Sequence, residues 1–145
     1  MQTPRENATM IIEALTAALA GDAGPLNDCL HPDLVTHEPP YLPYGGDYAG
    51  PDAFLQLMGE ATQIIDAPTV EILHVVADGD RVVLLMSARC IGHSEPAQIT
   101  EHWTLKDDKV IDVRVFWYNL PFATDENLGS IDDVTRPQQP QRTRQ

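Results

Sequence analysis

From Gln98 to Tyr118 the chain reads QITEHWTLKDDKVIDVRVFWY. Polar and apolar residues alternate on both sides of the central KDDK, which is typical of β-strands that bury one face. The polar run Lys106–Lys109 interrupts the alternation and predicts a tight turn. We therefore predict two antiparallel strands, Gln98–Leu105 and Val110–Tyr118.

Two further strands are predicted upstream of this pair. The ranges Val70–Val76 and Arg81–Ile91 are rich in β-branched residues, which favour strands. Asp78-Gly79 between them is a common hairpin sequence. The four strands together form an antiparallel meander.

Three helices are predicted before the meander. Apolar residues recur with helical spacing from Met10 to Leu19, and a short second helix begins at Pro25 and closes at His31-Pro32. Gly50-Pro51-Asp52 begins a third helix. Helices followed by strands indicate an α+β fold, with three N-terminal helices packed on one face of a curved, mainly antiparallel sheet.

The segment between the second and third helices contains a short extended piece and a loop. The extended piece is Leu34–Glu38, and prolines 39, 40 and 43 then predict a loop without regular structure. The loop contains three tyrosines, Tyr41, Tyr44 and Tyr48. We expect them to close over the mouth of a ligand pocket.

Length and composition predict one domain and a tail. The chain has 145 residues, of which 43% are hydrophobic and 21% are charged, and this suits a single packed domain over residues 1–125. Residues 126–145 are polar and contain prolines, so a flexible tail is predicted there. No apolar run is long enough to span a membrane, and Cys29 and Cys90 are expected to be buried thiols. A cytoplasmic location is the expectation.

The charge of the chain restricts its partners. Nine Lys and Arg oppose 22 Asp and Glu, which gives a formal net charge of -13. The negative electrostatic field of such a chain repels nucleic acid and anionic lipids, so neither is an expected partner. A small apolar or weakly polar ligand is favoured instead.

Side-chain parity brings a carboxyl to the inner face of the sheet. Glu101 shares one face of its strand with Ile99, Trp103 and Leu105, and Trp117 lies on the apolar face of the next strand. A buried carboxyl requires a partner or a raised pKa. Glu101 is therefore a candidate functional residue.

The outer face of the sheet is also predicted to be covered. The strand Arg81–Ile91 is apolar on both faces, which is unusual for a sheet with one face in water. We expect a homodimer that forms through this outer face.

Two stretches carry a family resemblance. The run LHPDLVTHEP at residues 30–39 is similar to the passage of ketosteroid isomerases in which an acid before a proline is the general base, here Glu38. The strands TEHWTL at 100–105 and KVIDVRVFW at 109–117 resemble the last two strands of the NTF2-like superfamily. The resemblance implies a cone-shaped barrel and places Glu101 on an oxyanion-binding acid and Trp117 on a pocket tryptophan.

The sequence also departs from this family pattern. Ala14 stands where helix one of the isomerases carries a catalytic tyrosine, and Ile99 stands where limonene epoxide hydrolases carry an arginine. The loop at residues 40–48 is longer than its isomerase counterpart and resembles uncharacterised SnoaL-like proteins. We therefore expect a SnoaL-like protein rather than a steroid isomerase proper.

The predicted function is acid–base catalysis without a cofactor on a small, largely apolar carbonyl or cyclic compound. Isomerases, cyclases and dehydratases are the reaction types considered. Glu38 is the expected base and Glu101 the expected acid or oxyanion donor, since two carboxyls in one apolar cavity can hold different pKa values. His37 is an alternative base, and parity turns only one of His37 and Glu38 toward the cavity.

Other interpretations of the same residues stay open. The protein is either this enzyme or a non-catalytic small-molecule-binding protein, and an interaction module that dimerises through its sheet needs no pocket acids. No metal site is expected, because the histidines lack ligand spacing. Arg89 is a candidate to neutralise a carboxylate. The residues expected to contact the ligand are Tyr41, Tyr44, Tyr48, Phe54, Met58, Arg89, Trp103 and Trp117.

Overall fold

The computed structural model describes residues 1–123. Within them the chain forms three α-helices, one short 3-10 turn and six strands. The helices are α1 (Pro4–Leu19), α2 (Gly24–Asp28) and α3 (Pro51–Ala61), and the 3-10 turn is Ala67–Thr69. The strands are β1 (Leu30–Glu38), β2 (Gly46–Ala49), β3 (Glu71–Asp78), β4 (Arg81–Arg89), β5 (Pro96–Lys106) and β6 (Lys109–Trp117).

The six strands form one open, mixed sheet in the order β2-β1-β6-β5-β4-β3. The predicted meander β3-β4-β5-β6 is confirmed, and each of its neighbouring pairs is antiparallel. β1 joins it by running parallel to β6, and β2 pairs antiparallel with β1. The sheet of the predicted cone-shaped barrel is not closed, because β2 and β3 remain its two edges.

The prediction of an irregular loop at residues 39–48 is wrong in its second half. Gly46–Ala49 forms β2 and pairs along β1, from Glu38↔Gly46 to Val35↔Ala49. Pro43, the last of the three prolines, precedes this strand, so no ladder hydrogen bond is lost to a missing N–H. α3 therefore lies between two strands, and only α1 and α2 precede the sheet.

β1 begins at Leu30, four residues earlier than predicted. His31-Pro32 belongs to the strand and does not close the second helix, which ends at Asp28. The pairing of β1 with β6 shifts register between Leu30 and Val35. A proline is tolerated there because the ladder is already irregular.

α1 begins six residues before the predicted apolar stripe. The Thr3 side chain accepts a hydrogen bond from the Glu6 amide, and the Glu6 carboxylate accepts one from the Thr3 amide at 2.8 Å. This capping box, with Pro4 in the first turn, fixes the start of the helix. The buried face of α1 contains Ile11, Ala14 and Leu15, as the spacing predicted.

Both predicted hairpins of the meander are confirmed. β3 ends at Asp78 and β4 begins at Arg81, while β5 and β6 are joined through Asp107 and Asp108. Those two residues have φ values of 55° and 62°. Positive φ at both central positions matches the twist of the flanking strands.

The core lies between the inner face of the sheet and the helices. Ile99, Trp103 and Leu105 of β5 are buried, as parity predicted, and Val113 and Val115 of β6 are buried beside them. The predicted tail at 126–145 lies outside the described residues. No helix in the part of the chain that the structure describes is long and apolar enough to cross a membrane.

Candidate functional site

An apolar cavity of about 100 Å³ lies between the sheet, α1 and α3. Two acids, Glu38 and Glu101, are its ionisable carboxyl groups, and Thr36 and Tyr44 add hydroxyls. Apolar side chains from the sheet and from both helices form most of the remaining wall, among them Leu15, Phe54, Leu57, Met58, Met86, Ile99, Trp103, Val113, Val115 and Trp117.

The sheet register brings the two carboxyls together. Glu101 of β5 pairs with Val115 of β6. His37 of β1 pairs with Arg114 of β6. Glu38, the next residue of β1, therefore lies beside Val115, on the side opposite Glu101. Glu38 and Glu101 therefore face the same hollow from strands on either side of β6. Both keep a partly accessible surface, as expected for side chains that face a cavity.

Glu101 has a hydrogen-bond partner inside the cavity wall. The indole Nε1–H of Trp103 donates to Glu101 Oε1 at 3.1 Å. The two residues are neighbours on one face of β5, because side chains two apart on a strand point the same way. Burial raises the pKa of Glu101 to about 7, and the indole hydrogen bond opposes this shift by stabilising the charge.

Glu38 has a less favourable environment for a charge. Its Oε1 atom is buried and has no hydrogen-bond partner among residues 1–123. Burial raises the pKa of Glu38 to about 8, and the nearby Glu101 carboxylate adds to the shift. Near neutral pH, Glu38 is therefore mainly protonated and able to donate a hydrogen bond.

Tyr44 enters the cavity from the loop between β1 and β2. Its side chain is buried, and its carbonyl oxygen accepts a hydrogen bond from the Tyr48 hydroxyl at 2.6 Å. Gly45 permits the close path of this loop, since a Cβ there would lie 2.1 Å from the Pro39 carbonyl oxygen. Burial, and then the charge of Glu38, raise the pKa of the Tyr44 phenol, so it stays a neutral donor.

His37 points away from the cavity, as expected if Glu38 points inward. Its Nδ1 lies 2.9 Å from an Asp47 carboxylate oxygen, and its Nε2 lies 2.9 Å from one of Asp112. These contacts join β2, β1 and β6 on the outer face of the sheet. His37 is therefore placed to hold the strands together and not to contact a ligand in the cavity.

Three of the predicted ligand contacts are not on the cavity wall. Arg89 is an exposed residue of the outer face at the end of β4, so the prediction that it contacts the ligand is wrong. Tyr41 is partly exposed and lines a separate surface groove beside His37. Tyr48 supports the loop through its bond to Tyr44. The structure does bring Phe54, Met58, Trp103 and Trp117 to the cavity.

Sequence analysis missed Thr36 as a site residue. Thr36 is fully buried, lines the cavity and has no hydrogen-bond partner for Oγ1 among the described residues. It lies two residues before Glu38 on β1 and so shares its face. The alternation of side chains along a strand, which places Glu101 on the inner face of β5, also predicts Thr36 on the inner face of β1.

The arrangement is suited to moving protons. Two neighbouring carboxyls that titrate near neutral pH can exchange a proton with a bound molecule in either direction. A neutral phenol beside them adds a hydrogen-bond donor for a developing oxyanion. Among residues 1–123 no group of three or more His, Cys, Asp or Glu side chains is placed to hold a metal ion.

Comparisons with known proteins agree with this fold. Residues 11–113 match the family model of the SnoaL-like domain. An NTF2-like protein from Burkholderia xenovorans LB400 superposes with a TM-score of 0.71 at 20% sequence identity, over 85% of this chain and 97% of that protein. No curated protein sequence matches the chain.

Two similar structures bear functional names. A steroid delta-isomerase from Pseudomonas aeruginosa has a TM-score of 0.63 at 22% identity and covers 79% of this chain and 80% of its own. A candidate polyketide cyclase from Sinorhizobium meliloti has a TM-score of 0.63 at 18% identity, covering 79% of this chain and 100% of its own. At these identities the likeness establishes the NTF2-like fold alone.

Proposed function

This chain belongs to the SnoaL-like family of the NTF2-like superfamily, and we propose that it is a cofactor-independent enzyme acting by proton transfer on a small, largely apolar carbonyl or cyclic compound. The observation that carries the proposal is the meeting of Glu38 and Glu101 in one apolar cavity. Isomerisation, cyclisation and dehydration all begin with such a proton transfer. The isomerase and candidate cyclase of the same fold support this choice of chemistry.

The hydrogen bonds favour Glu101 as the base and Glu38 as the acid, the reverse of the division that the isomerase resemblance implies. The Trp103 indole donates to Glu101 and stabilises its carboxylate, whereas the buried oxygen of Glu38 has no donor within the described chain. The pair shares titration steps, and the first proton leaves chiefly from Glu101. Glu38 then donates to the substrate oxygen, with the Tyr44 hydroxyl as a second donor.

The cavity also restricts the substrate. A volume of about 100 Å³ suits a compact molecule, and the apolar wall favours one with few polar atoms. The net charge of -13 disfavours anions. A neutral cyclic carbonyl compound about the size of a single ring fits these conditions.

The proposal is tested by hydrogen exchange of simple ketones. Cyclopentanone, cyclohexanone and 2-cyclohexenone are incubated with the protein in D2O, and loss of the α-proton signals is followed by NMR. We expect exchange above the buffer rate for at least one ketone. Absence of acceleration for all three, while each is bound, favours the alternative of a non-catalytic small-molecule-binding protein.

We further expect a homodimer through the outer face of the sheet. Val76 of β3 and Phe116 of β6 are exposed there, by 63% and 49%. Val83 and Leu85 of β4 lie between them in the sheet, since Val83 pairs with Val76 and Leu85 lies in the same cross-strand row as Phe116. Thr100 and His102 of β5 separate these β4 residues from Phe116, so the outer face is a mixed surface with several exposed apolar side chains. Exposed apolar side chains grouped on one face of a charged protein are typical of an interface.

Changing Phe116 to Glu is expected to separate the dimer. The substitution would place an unpaired charge in an apolar interface, in a protein that already repels its own copies by charge. Light scattering should give twice the chain mass of 16.0 kDa for the wild type and the single mass for the variant. Thr9→Glu on the exposed side of α1 is the control and should leave the mass unchanged. A monomeric wild type contradicts the expectation.

A further inference from the structure

Two polar atoms on the β1 wall of the cavity have no hydrogen-bond partner in the part of the chain that the structure describes. Thr36 is 0% exposed, and its Oγ1 atom, like Oε1 of Glu38, makes no hydrogen bond within residues 1–123. Buried hydroxyl and carboxyl oxygens in proteins are nearly always hydrogen-bonded. Both residues line the cavity, so a molecule bound there lies beside both side chains.

The spacing of the two residues allows one ligand group to reach both. Thr36 and Glu38 are two residues apart on one strand, and their Cα atoms are about 6.6 Å apart in such a strand. If the Thr36 and Glu38 side chains lean toward each other, one ligand oxygen between them can make a hydrogen bond of about 2.8 Å to each. Val113, the β6 partner of Thr36, is apolar, and the apolar Leu57 and Val115 line the same cavity.

The geometry points to Thr36 as a ligand-binding residue whose hydroxyl, together with the Glu38 carboxyl, receives an oxygen-bearing group of a neutral ligand. This inference rests on the proposed role of the cavity as a ligand site. A hydroxyl group both donates and accepts, so Thr36 serves either a ligand carbonyl or a ligand hydroxyl. Thr36 thereby selects oxygen-bearing molecules over hydrocarbons of the same shape and sets their orientation toward the two acids.

The selection is measured with phenol and toluene, which have similar shapes and differ by a hydroxyl in place of a methyl group. Binding is followed through the indole N–H signal of Trp103 in ¹⁵N-correlated NMR spectra. We expect the wild type to bind phenol more tightly than toluene. Thr36→Val should reduce that preference by roughly 3- to 10-fold, which is the loss of one hydrogen bond. Thr36→Ser keeps the hydroxyl and should retain most of the preference.

A second readout separates a ligand-binding hydroxyl from a structural one. Thr36→Val removes a buried hydroxyl that has no hydrogen-bond partner within residues 1–123, and it keeps the side-chain shape. The thermal midpoint of the ligand-free protein should therefore rise. A hydroxyl with a structural hydrogen bond would give a lower midpoint.

The inference is overturned if phenol leaves the Trp103 signal of the wild type unchanged, or if Thr36→Val keeps the full preference for phenol. A lower midpoint for Thr36→Val also counts against it. The test requires no turnover, so it fails independently of the proposed catalysis. A phenol preference that depends on Thr36, in a protein that exchanges no ketone protons, supports the subsite and refutes only the enzyme.

Discussion

Changing Glu101 to Gln should slow ketone proton exchange by roughly 10²- to 10⁴-fold, which is the usual contribution of a positioned general base. The amide cannot accept a proton at neutral pH, yet it has nearly the size of the carboxyl and can still meet the Trp103 indole. Binding of the ketone should change little. The exchange rate and the ketone affinity are both measured by NMR on the same samples.

The Glu38→Gln variant tests the division of roles. An amide still donates a hydrogen bond, so this variant should retain more activity than Glu101→Gln if Glu38 acts as the protonated donor. The wild-type rate should rise with pH as Glu101 ionises near 7 and fall as Glu38 ionises near 8. Glu71→Gln on the exposed part of β3 is the control. A greater loss of activity from Glu38→Gln would mean that Glu38 is the base and Glu101 the donor. No loss of activity from either variant would refute the mechanism.

The free energy of unfolding should decrease as the pH rises from about 4.5 to about 8. A carboxyl with a higher pKa in the folded than in the unfolded chain binds its proton more tightly when folded. Below pH 4.5, the ordinary pKa of a glutamate, this contribution to stability is fully present. It is lost as the pH rises, and the loss is complete above about pH 7 for Glu101 and above about pH 8 for Glu38. For the two carboxyls together the loss is on the order of 8 kcal/mol, from 1.36 kcal/mol for each unit of pKa.

The contribution of the two acids is isolated by comparing the wild type with the Glu38→Gln and Glu101→Gln double variant. Urea unfolding at fixed protein concentration gives the free energy of each at pH 5 and pH 9. The double variant should gain stability over the wild type by several kcal/mol between these pH values. Parallel curves would mean that the acids are solvated in the folded protein. A stability gain coupled to lost turnover is typical of active-site residues.

Local sequence patterns predicted the part of the fold that carries Glu101. Alternation in β5 and in the second half of β6 indicated which side chains face inward, because a strand has a period of two. Trp103, Val115 and Trp117 are buried accordingly. The Asp78-Gly79 and Lys106–Lys109 turns were equally predictable, because their backbone conformations depend on the turn residues themselves.

The parts that sequence analysis missed depend on distant contacts. β2 has only four residues and forms because β1 offers a free edge, and the parallel pairing of β1 with β6 joins residues 77 to 80 positions apart. Arg89 lies on the outer face because the helices cover the opposite face of β4, and the sequence of a strand with apolar residues on both faces does not indicate which face the helices cover. The inward face of β1 was recognised through Glu38 alone, so Thr36 was overlooked.

The sequence predicted that all three loop tyrosines lie at the pocket, and only the three-dimensional packing distinguishes Tyr44, which lines the cavity, from Tyr41 and Tyr48, which do not. Ala14 of α1 stands where the isomerase resemblance implies a tyrosine. In this chain Tyr44, from the loop between β1 and β2, brings a phenol to the cavity instead. Its position depends on the Tyr48 bond and on the tight contact of Gly45 with Pro39. Such a substitution of one element for another follows only from three-dimensional packing.

The most direct test is a titration of every glutamate carboxyl carbon by ¹³C NMR, with signals assigned from the Glu38→Gln and Glu101→Gln variants. Two signals should titrate far above the rest, with pKa values of about 7 and about 8, and removing Glu101 should lower the pKa of Glu38. If all glutamates titrate near 4.5 and are indifferent to each other's removal, the two acids do not share an apolar cavity and the proposed chemistry has no basis.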